Sequence, residues 1–355
     1  MKRNRTILTR FAAVAATGVL GLSMTACDNP SGDDGKKGGG EDSELRVGLA
    51  YDIGGRGDKS FNDSAYRGLE RVKKELGVTD AKDLEPSEGE SDADKVERLK
   101  LMAEEGYGVV IGVGYAYAEP MKEVAKDYPD VNFAVVDSEI EGADNITSLV
   151  FAEEQASFLA GASAALKTEE DHVGFIGGVN TPLIQKFEAG FIAGVEEIDP
   201  KIKIENTYLS QPPDMKGFQD PARGKEVALG QYDKGADVIY HAAGASGNGI
   251  LEAAADQEKL FIGVDSDQYE SAPEDRKKYV LTSAVKDVDK AVFEFVKSVQ
   301  DGKAQAGIQR FDLASGGVSY TKSNKDEIGD VEKELDELQQ KIIDGDIKVP
   351  TKPEK

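Results

Sequence analysis

The chain has 355 residues, a formal net charge of −24, no tryptophan and one cysteine. That length is ample for two hydrophobic cores. The acidic excess makes nucleic acid and anionic lipid poor partners, and a single cysteine excludes an internal disulfide.

In chain order, residues 1–26 read as an export signal. Lys2, Arg3, Arg5 and Arg10 precede an apolar run from Phe11 to Met24 that is too short to span a bilayer. The run ends in Leu22-Ser-Met-Thr-Ala-Cys27, which resembles the lipobox of bacterial lipoproteins, with Met24 where leucine is more usual. Cys27 is then the lipidated first residue of the mature chain. An uncleaved anchor, or an ordinary secretory signal with a chance cysteine, is the alternative. Cleavage removes four positive charges and no negative one, taking the body from −24 to −28. Such a body is repelled by an anionic bilayer, so lipid at Cys27 would have to hold it there. Residues 27–43 are glycine-rich and charged with nothing apolar to bury, the composition of a flexible tether.

From Glu44 onward short apolar runs alternate with amphipathic stretches. The pattern predicts strands over 45–51, 108–113, 131–136, 146–151, 172–177, 201–209, 236–241, 260–264 and 280–285. It predicts helices over 61–76, 92–105, 117–127, 153–166, 182–197, 220–234, 247–257 and 287–301. Alternation of this kind argues for α/β architecture with parallel sheets, and so many strands suit two lobes. Phe311 to Thr321 reads as extended with a turn at Gly316-Gly317, and Val331, Leu335, Leu338 and Ile342 form a helical stripe.

Three strands end in an aspartate, Asp52, Asp137 and Asp265, and a fourth ends in Lys286. Ligands of open α/β sheets bind beyond the carboxyl ends of strands. Any one of these acids is equally consistent with a helix cap, and Lys286 with a structural ion pair to Asp265. Together they imply one polar pocket suited to hydroxyls and ring N–H groups. Phe61 and Phe218 each stand in a polar segment just before or at a helix start, with Ser60 and Asp220 as candidate caps. Each ring either staples its own helix or stacks on a planar ligand. Asn62 lies beside Phe61. The Gly244–Gly249 loop suits close backbone approach but matches no dinucleotide or P-loop pattern. His172 and His241 lack metal spacing and read as structural. The sequence offers no Ser-His-Asp set, no metal site and no cofactor motif.

Several segments resemble the basic membrane protein family of bacterial surface lipoproteins. They are Asp58-Lys-Ser-Phe-Asn62, Phe151 to Gly161, Gly174 to Gly178 with Lys186 to Phe191, Asp220 to Lys225, Gly235 to Gly244, Gly247-Asn-Gly249 and Gly263 to Gln268. Ala156 stands where glycine is common in the family. The resemblance covers about 45–350 and implies a type I periplasmic-binding-protein fold, two doubly wound lobes joined by a three-segment hinge. Lobe 1 would hold 45–150 and 267–303, and lobe 2 would hold 151–266 and 304–350. It further implies a nucleoside-binding protein of an ABC importer, lipid-anchored on the outer face of the cell membrane, with a permease and its ATPase as partners. Phe61 and Phe218 would then sandwich the base, Asp52, Asn62 and Asp137 would bond its edge, and Gly244, Asp265 and Lys286 would hold the ribose. Strand ends that offer acids and no arginine fork favour a neutral nucleoside over a nucleotide. A receptor for another neutral solute, such as a sugar, and a nucleoside hydrolase are the alternatives.

Overall fold

A computed structural model describes residues 45–87 and 89–353. The expected signal peptide, the tether and Cys27 lie outside the described residues.

Val- and Ile-rich runs form the strands and the amphipathic stretches form the helices. The first half of the chain gives β1 (Arg46–Ala50), α1 (Phe61–Leu76), β2 (Asp80–Leu84), α2 (Asp92–Glu104), β3 (Val109–Gly112), α3 (Ala118–Val124), β4 (Asn132–Val136) and β5 (Ile146–Phe151). Next come α4 (Glu153–Lys167), β6 (His172–Val179), α5 (Pro182–Ile198), β7 (Lys203–Ser210), α6 (Pro221–Asp233), β8 (Val238–Ala242), α7 (Gly247–Gln257) and β9 (Leu260–Asp265). The remainder is α8 (Gln268–Ser271), β10 (Val280–Lys286), α9 (Val288–Gln300), β11 (Gly307–Phe311), β12 (Val318–Tyr320), α10 (Lys325–Ile328) and α11 (Glu332–Asp344).

Among the described residues two six-stranded sheets result, with orders β11-β5-β4-β3-β1-β2 and β12-β10-β9-β8-β6-β7. Every pairing is parallel except β10 with β12. Parallel sheets need both faces covered, which is why their strands read as continuous apolar runs. The chain passes from the first sheet to the second at Ala152, returns after Lys286, and passes over again at 312–317.

Those crossings correct the lobe boundaries expected from the sequence. Residues 280–286, assigned to lobe 1, form β10 and pair with β9 of the second sheet. Residues 307–311, assigned to lobe 2, form β11 and pair with β5 of the first. The β9–α8–β10 connection continues one parallel sheet, and local alternation carries no mark of which sheet a strand joins. Helix α9 does return to the first lobe, where it packs on α1. The polar edge strand β2, Asp80-Ala-Lys-Asp-Leu84, was not among the predicted strands because it has no apolar run.

Helices α4 and α5 lie against each other so closely that a Cβ on Gly161 or Gly194 would stand 2.0 Å from a carbonyl oxygen of the partner helix. Two of the family-like segments are therefore packing surfaces of the second lobe. In α11, Leu335, Leu338 and Ile342 are buried, as the stripe predicts.

Candidate functional site

The carboxyl ends of β1, β4, β9 and β10 converge on a cavity with about 570 Å³ of empty space, open solvent at its mouth included. Asp52, Phe61, Asn62 and Asp137 line it from the first lobe, and Phe218, Gly244, Asp265 and Lys286 from the second. All eight sequence-selected residues thus meet in one place. Tyr115, Leu183, Ile184 and Phe187 line it too and were not selected. Pro182 at the first turn of α5 was the available signal for the last three, since it fixes where that helix points.

Phe61 is set by the loop before α1. Asp58 accepts from the backbone N–H groups of Ser60 (2.9 Å), Asn62 (2.8 Å) and Asp63 (3.1 Å), so it satisfies the open donors of the helix start. Ser60, the expected cap, makes no capping bond. On the other wall Asp220 does cap α6, accepting from the Arg223 N–H at 2.9 Å. Phe218 sits in the short turn before that cap, its ring so close to Gly178 that a Cβ there would meet Cδ1 at 2.5 Å. Both rings are half-buried at the cavity wall.

Lys286 is buried and bridges the lobes. Its Nζ lies 2.6 Å from Asp137 Oδ2 and 3.7 Å from Asp265 Oδ1. It also stands 4.5 Å from the centroid of the Phe61 ring. Burial works against the ammonium, but Asp137, Asp265 and Glu153 outweigh it and hold the lysine protonated, its pKa raised. The ion pair to Asp265, the alternative reading of Lys286, is thus secondary to the one with Asp137. Glu153, at the first crossing, is pushed up to about 7 by burial, with Lys286 and Lys186 opposing.

Asp52 has no such cation paired to it among the described residues. Burial pushes its carboxyl up to about 6, eased by the Ile53 N–H and Lys95. Its backbone N–H donates to Asn62 Oδ1 at 3.2 Å, while Asn62 Nδ2 donates to Asp58 Oδ2 at 3.2 Å. Asn62 therefore ties the Phe61 loop to β1 and keeps one amide hydrogen free of these bonds. Gly114, at φ 108°, allows Asp52 this position, since a Cβ there would stand 2.0 Å from Oδ2.

Asp137 and Asp265 both adopt left-handed backbone, with φ of 67° and 61°. Among the described residues, Asp52 Oδ1, Asp137 Oδ1 and Asp265 Oδ1 are buried without a hydrogen-bond partner. Buried acceptors of this kind cost stability unless something donates to them. Left-handed backbone and orphaned acceptors in one cavity single it out as the candidate site, one suited to a donor-rich ligand.

Two parallel-sheet lobes joined by three crossings, with a polar cleft between them, define the solute-binding protein class. Residues 46–353 match the family described as Bmp, ABC transporter substrate-binding protein PnrA-like, and the chain belongs to that family. It is 31% identical to the ABC transporter nucleoside-binding protein BmpA of Lactococcus lactis over 96% of this chain and 98% of that one. It is 33% identical to a lipoprotein of Pyrococcus abyssi over 87% of this chain and 76% of that one. An ABC transporter solute-binding protein from Aeropyrum pernix superposes with a TM-score of 0.73 at 28% identity, covering 87% and 94% of the two chains. The fold is accordingly the type I periplasmic-binding fold, and the chain is a substrate-binding protein of an ABC transporter, not an enzyme. The hydrolase alternative is thereby set aside.

Proposed function

We propose that this protein is a lipid-anchored receptor that captures a nucleoside, a purine nucleoside foremost, and delivers it to a membrane permease driven by its ATPase. The base stacks between Phe61 and Phe218. Asp52, Asn62 and Asp137 bond its edge, and Gly244, Asp265 and Lys286 hold the ribose. Ligand contacts from both lobes favour the closed form, because a guest that touches both walls binds it better than the open one. No bond in the ligand is made or broken.

One observation carries the reading. Residues from distant parts of the chain bring the rings of Phe61 and Phe218, with that of Phe187, and three orphaned carboxylate oxygens to a single cavity, where acceptors outnumber cations. Flat rings and acceptors suit a base with N–H donors joined to a hydroxyl-rich sugar. The likeness to a nucleoside-binding relative along nearly the whole chain supports the same ligand class. Cys27 in its lipobox-like setting, and the likeness to a lipoprotein, support the anchor and an extracytoplasmic location on the cell membrane.

A thermal-shift screen of nucleosides, free bases, sugars and nucleotides tests this, since a ligand that binds only the native state raises the melting temperature. Purine nucleosides should give the largest rise. A larger rise with a simple sugar would replace the nucleoside by another neutral solute.

A further inference from the structure

The loop before α1 meets the end of β9 through bonds that none of the three crossings carries. Ser60 Oγ donates to Asp265 Oδ2 at 2.5 Å. Ser266 Oγ donates to the Ser60 carbonyl at 2.8 Å and accepts from Arg67 Nη2 at 2.8 Å. Gln268 Nε2 donates to the Lys59 carbonyl at 3.3 Å. Lys59, Ser60 and Arg67 belong to the first lobe, and Asp265, Ser266 and Gln268 to the second. Ser60, Asp265, Ser266 and Gln268 are all buried.

The orientation of the Gln268 amide is fixed from behind. Its Oε1 accepts from the Val264 N–H at 3.1 Å and lies 2.8 Å from His241 Nε2. Burial keeps His241 neutral, its pKa pushed down to about 4, and because an amide oxygen only accepts, Nε2 carries the one proton and donates it. The histidine left as structural by the sequence thus aims an amide donor at the opposite lobe.

Asp265 has two carboxylate oxygens with different surroundings. Oδ2 takes the Ser60 hydroxyl from the other lobe. Oδ1 has no hydrogen-bond partner and stands at the cavity wall. A carboxylate pinned through one oxygen presents the other in a fixed direction. We propose that Ser60 is a positioning residue for ligand recognition: reaching across the cleft, its hydroxyl aims Asp265 Oδ1 at the ligand, so that the hydroxyl-recognising side of the site is complete only when the lobes meet. The assignment of sugar hydroxyls to Asp265 rests on the nucleoside reading above. A ligand with those hydroxyls then binds the closed state better than the open one, and that difference is what shifts the population. A free base would not sense Ser60.

The test is titration calorimetry of the full chain and its Ser60→Ala and Ser266→Ala variants with inosine, 2′-deoxyinosine and hypoxanthine. Hydrogen exchange of the segments 57–62 and 265–269 is measured in parallel. In Ser60→Ala, inosine affinity should fall about tenfold, as for loss of a hydrogen bond to a charged group. The preference for inosine over 2′-deoxyinosine should shrink towards one, hypoxanthine should bind as before, and both segments should exchange faster. Ser266→Ala keeps the Ser60 hydroxyl, so it should speed exchange yet keep the preference. Should Ser60→Ala fail to fold, Ser60→Gly removes the same hydroxyl. Equal weakening of all three ligands would mean a structural role only, and an unchanged preference would likewise overturn the proposal. If the wild-type protein bound none of the three, the nucleoside reading would fall and take the sugar role of Ser60 with it. Faster exchange in Ser60→Ala would then still establish the bond between the lobes.

Discussion

On one part of the cavity wall Asp137 and Asp265 share the Lys286 ammonium, whereas on another Asp52 lies buried with no cation paired to it among the described residues. In the first arrangement the surrounding acids hold the lysine protonated against its burial. The second holds a carboxyl near its titration point and bears the cost of burial whenever it ionises. One end is therefore balanced within the protein, and the other gains most from a ligand that supplies donors.

The largest effect should come from breaking the balanced end. Lys286→Met leaves Asp137 and Asp265 facing each other without their cation. It should cost about 3–5 kcal/mol in denaturant unfolding, the penalty for removing one partner of a buried ion pair, and abolish ligand binding. Stability unchanged by that substitution would show that the two acids do not depend on the lysine.

The rings on the cavity wall come next. Phe218→Ala and Phe61→Ala should each weaken nucleoside binding by about 1–3 kcal/mol, roughly five- to over a hundredfold in Kd. Phe61→Ala should do so with the larger loss of stability, because that ring also faces Lys286. Calorimetric titration that finds either variant unchanged excludes the sandwich.

The unbalanced end should show itself through pH. The Asp52 pKa of about 6 lies above the ordinary value near 4, so the folded protein holds the proton longer than the unfolded chain. Its stabilising contribution is complete below about pH 4 and is lost as pH rises through about 6. Asp52→Asn should therefore stabilise the protein at pH 7 by about 3 kcal/mol, while weakening nucleoside binding. In the wild type, N–H donors of the ligand favour ionised Asp52, so affinity should decline below pH 6 and protons should be released on binding near that pH. Calorimetry in buffers of different ionisation enthalpy reads this directly, and Asp52→Asn should abolish the release. Asp58, also pushed up to about 6 by burial, should remain as a background slope in the stability profile.

The smallest effect belongs to the scaffold. Asp220→Ala removes the cap of α6 and should cost about 1 kcal/mol in thermal or denaturant unfolding. Binding should weaken only slightly, through the neighbouring Phe218. A large loss of affinity there would move Asp220 from scaffold to site.

Much of the cavity was legible in the sequence because strand ends are. A run such as Phe133-Ala-Val-Val announces its strand, and the residue after it must lie at the carboxyl edge, which placed Asp52, Asp137, Asp265 and Lys286 together. Phe61 and Phe218 stood out as apolar residues in polar company. Partners far apart in sequence were not legible. Nothing near Lys286 says that its closest acid is Asp137 and not Asp265, and nothing near Ser60 says that it meets Asp265. The exchange of β10 and β11 between lobes was hidden for the same reason: periodicity reports burial, not which sheet provides it. Asp58 was overlooked as the start of α1 because its bonds reach from three residues before the first helical residue, Phe61.

The left-handed backbone at Asp137 and Asp265 limits how this receptor can be retargeted. Only glycine, asparagine and aspartate enter that region with ease, so a designer who wants a new cargo has a three-letter alphabet at two of the four polar strand ends. Freedom to change specificity lies instead at Asp52, which carries no such backbone restriction and no ion pair among the described residues. Libraries concentrated there, and on Tyr115 and Leu183, should yield folded variants more often than libraries spread over the whole cavity wall.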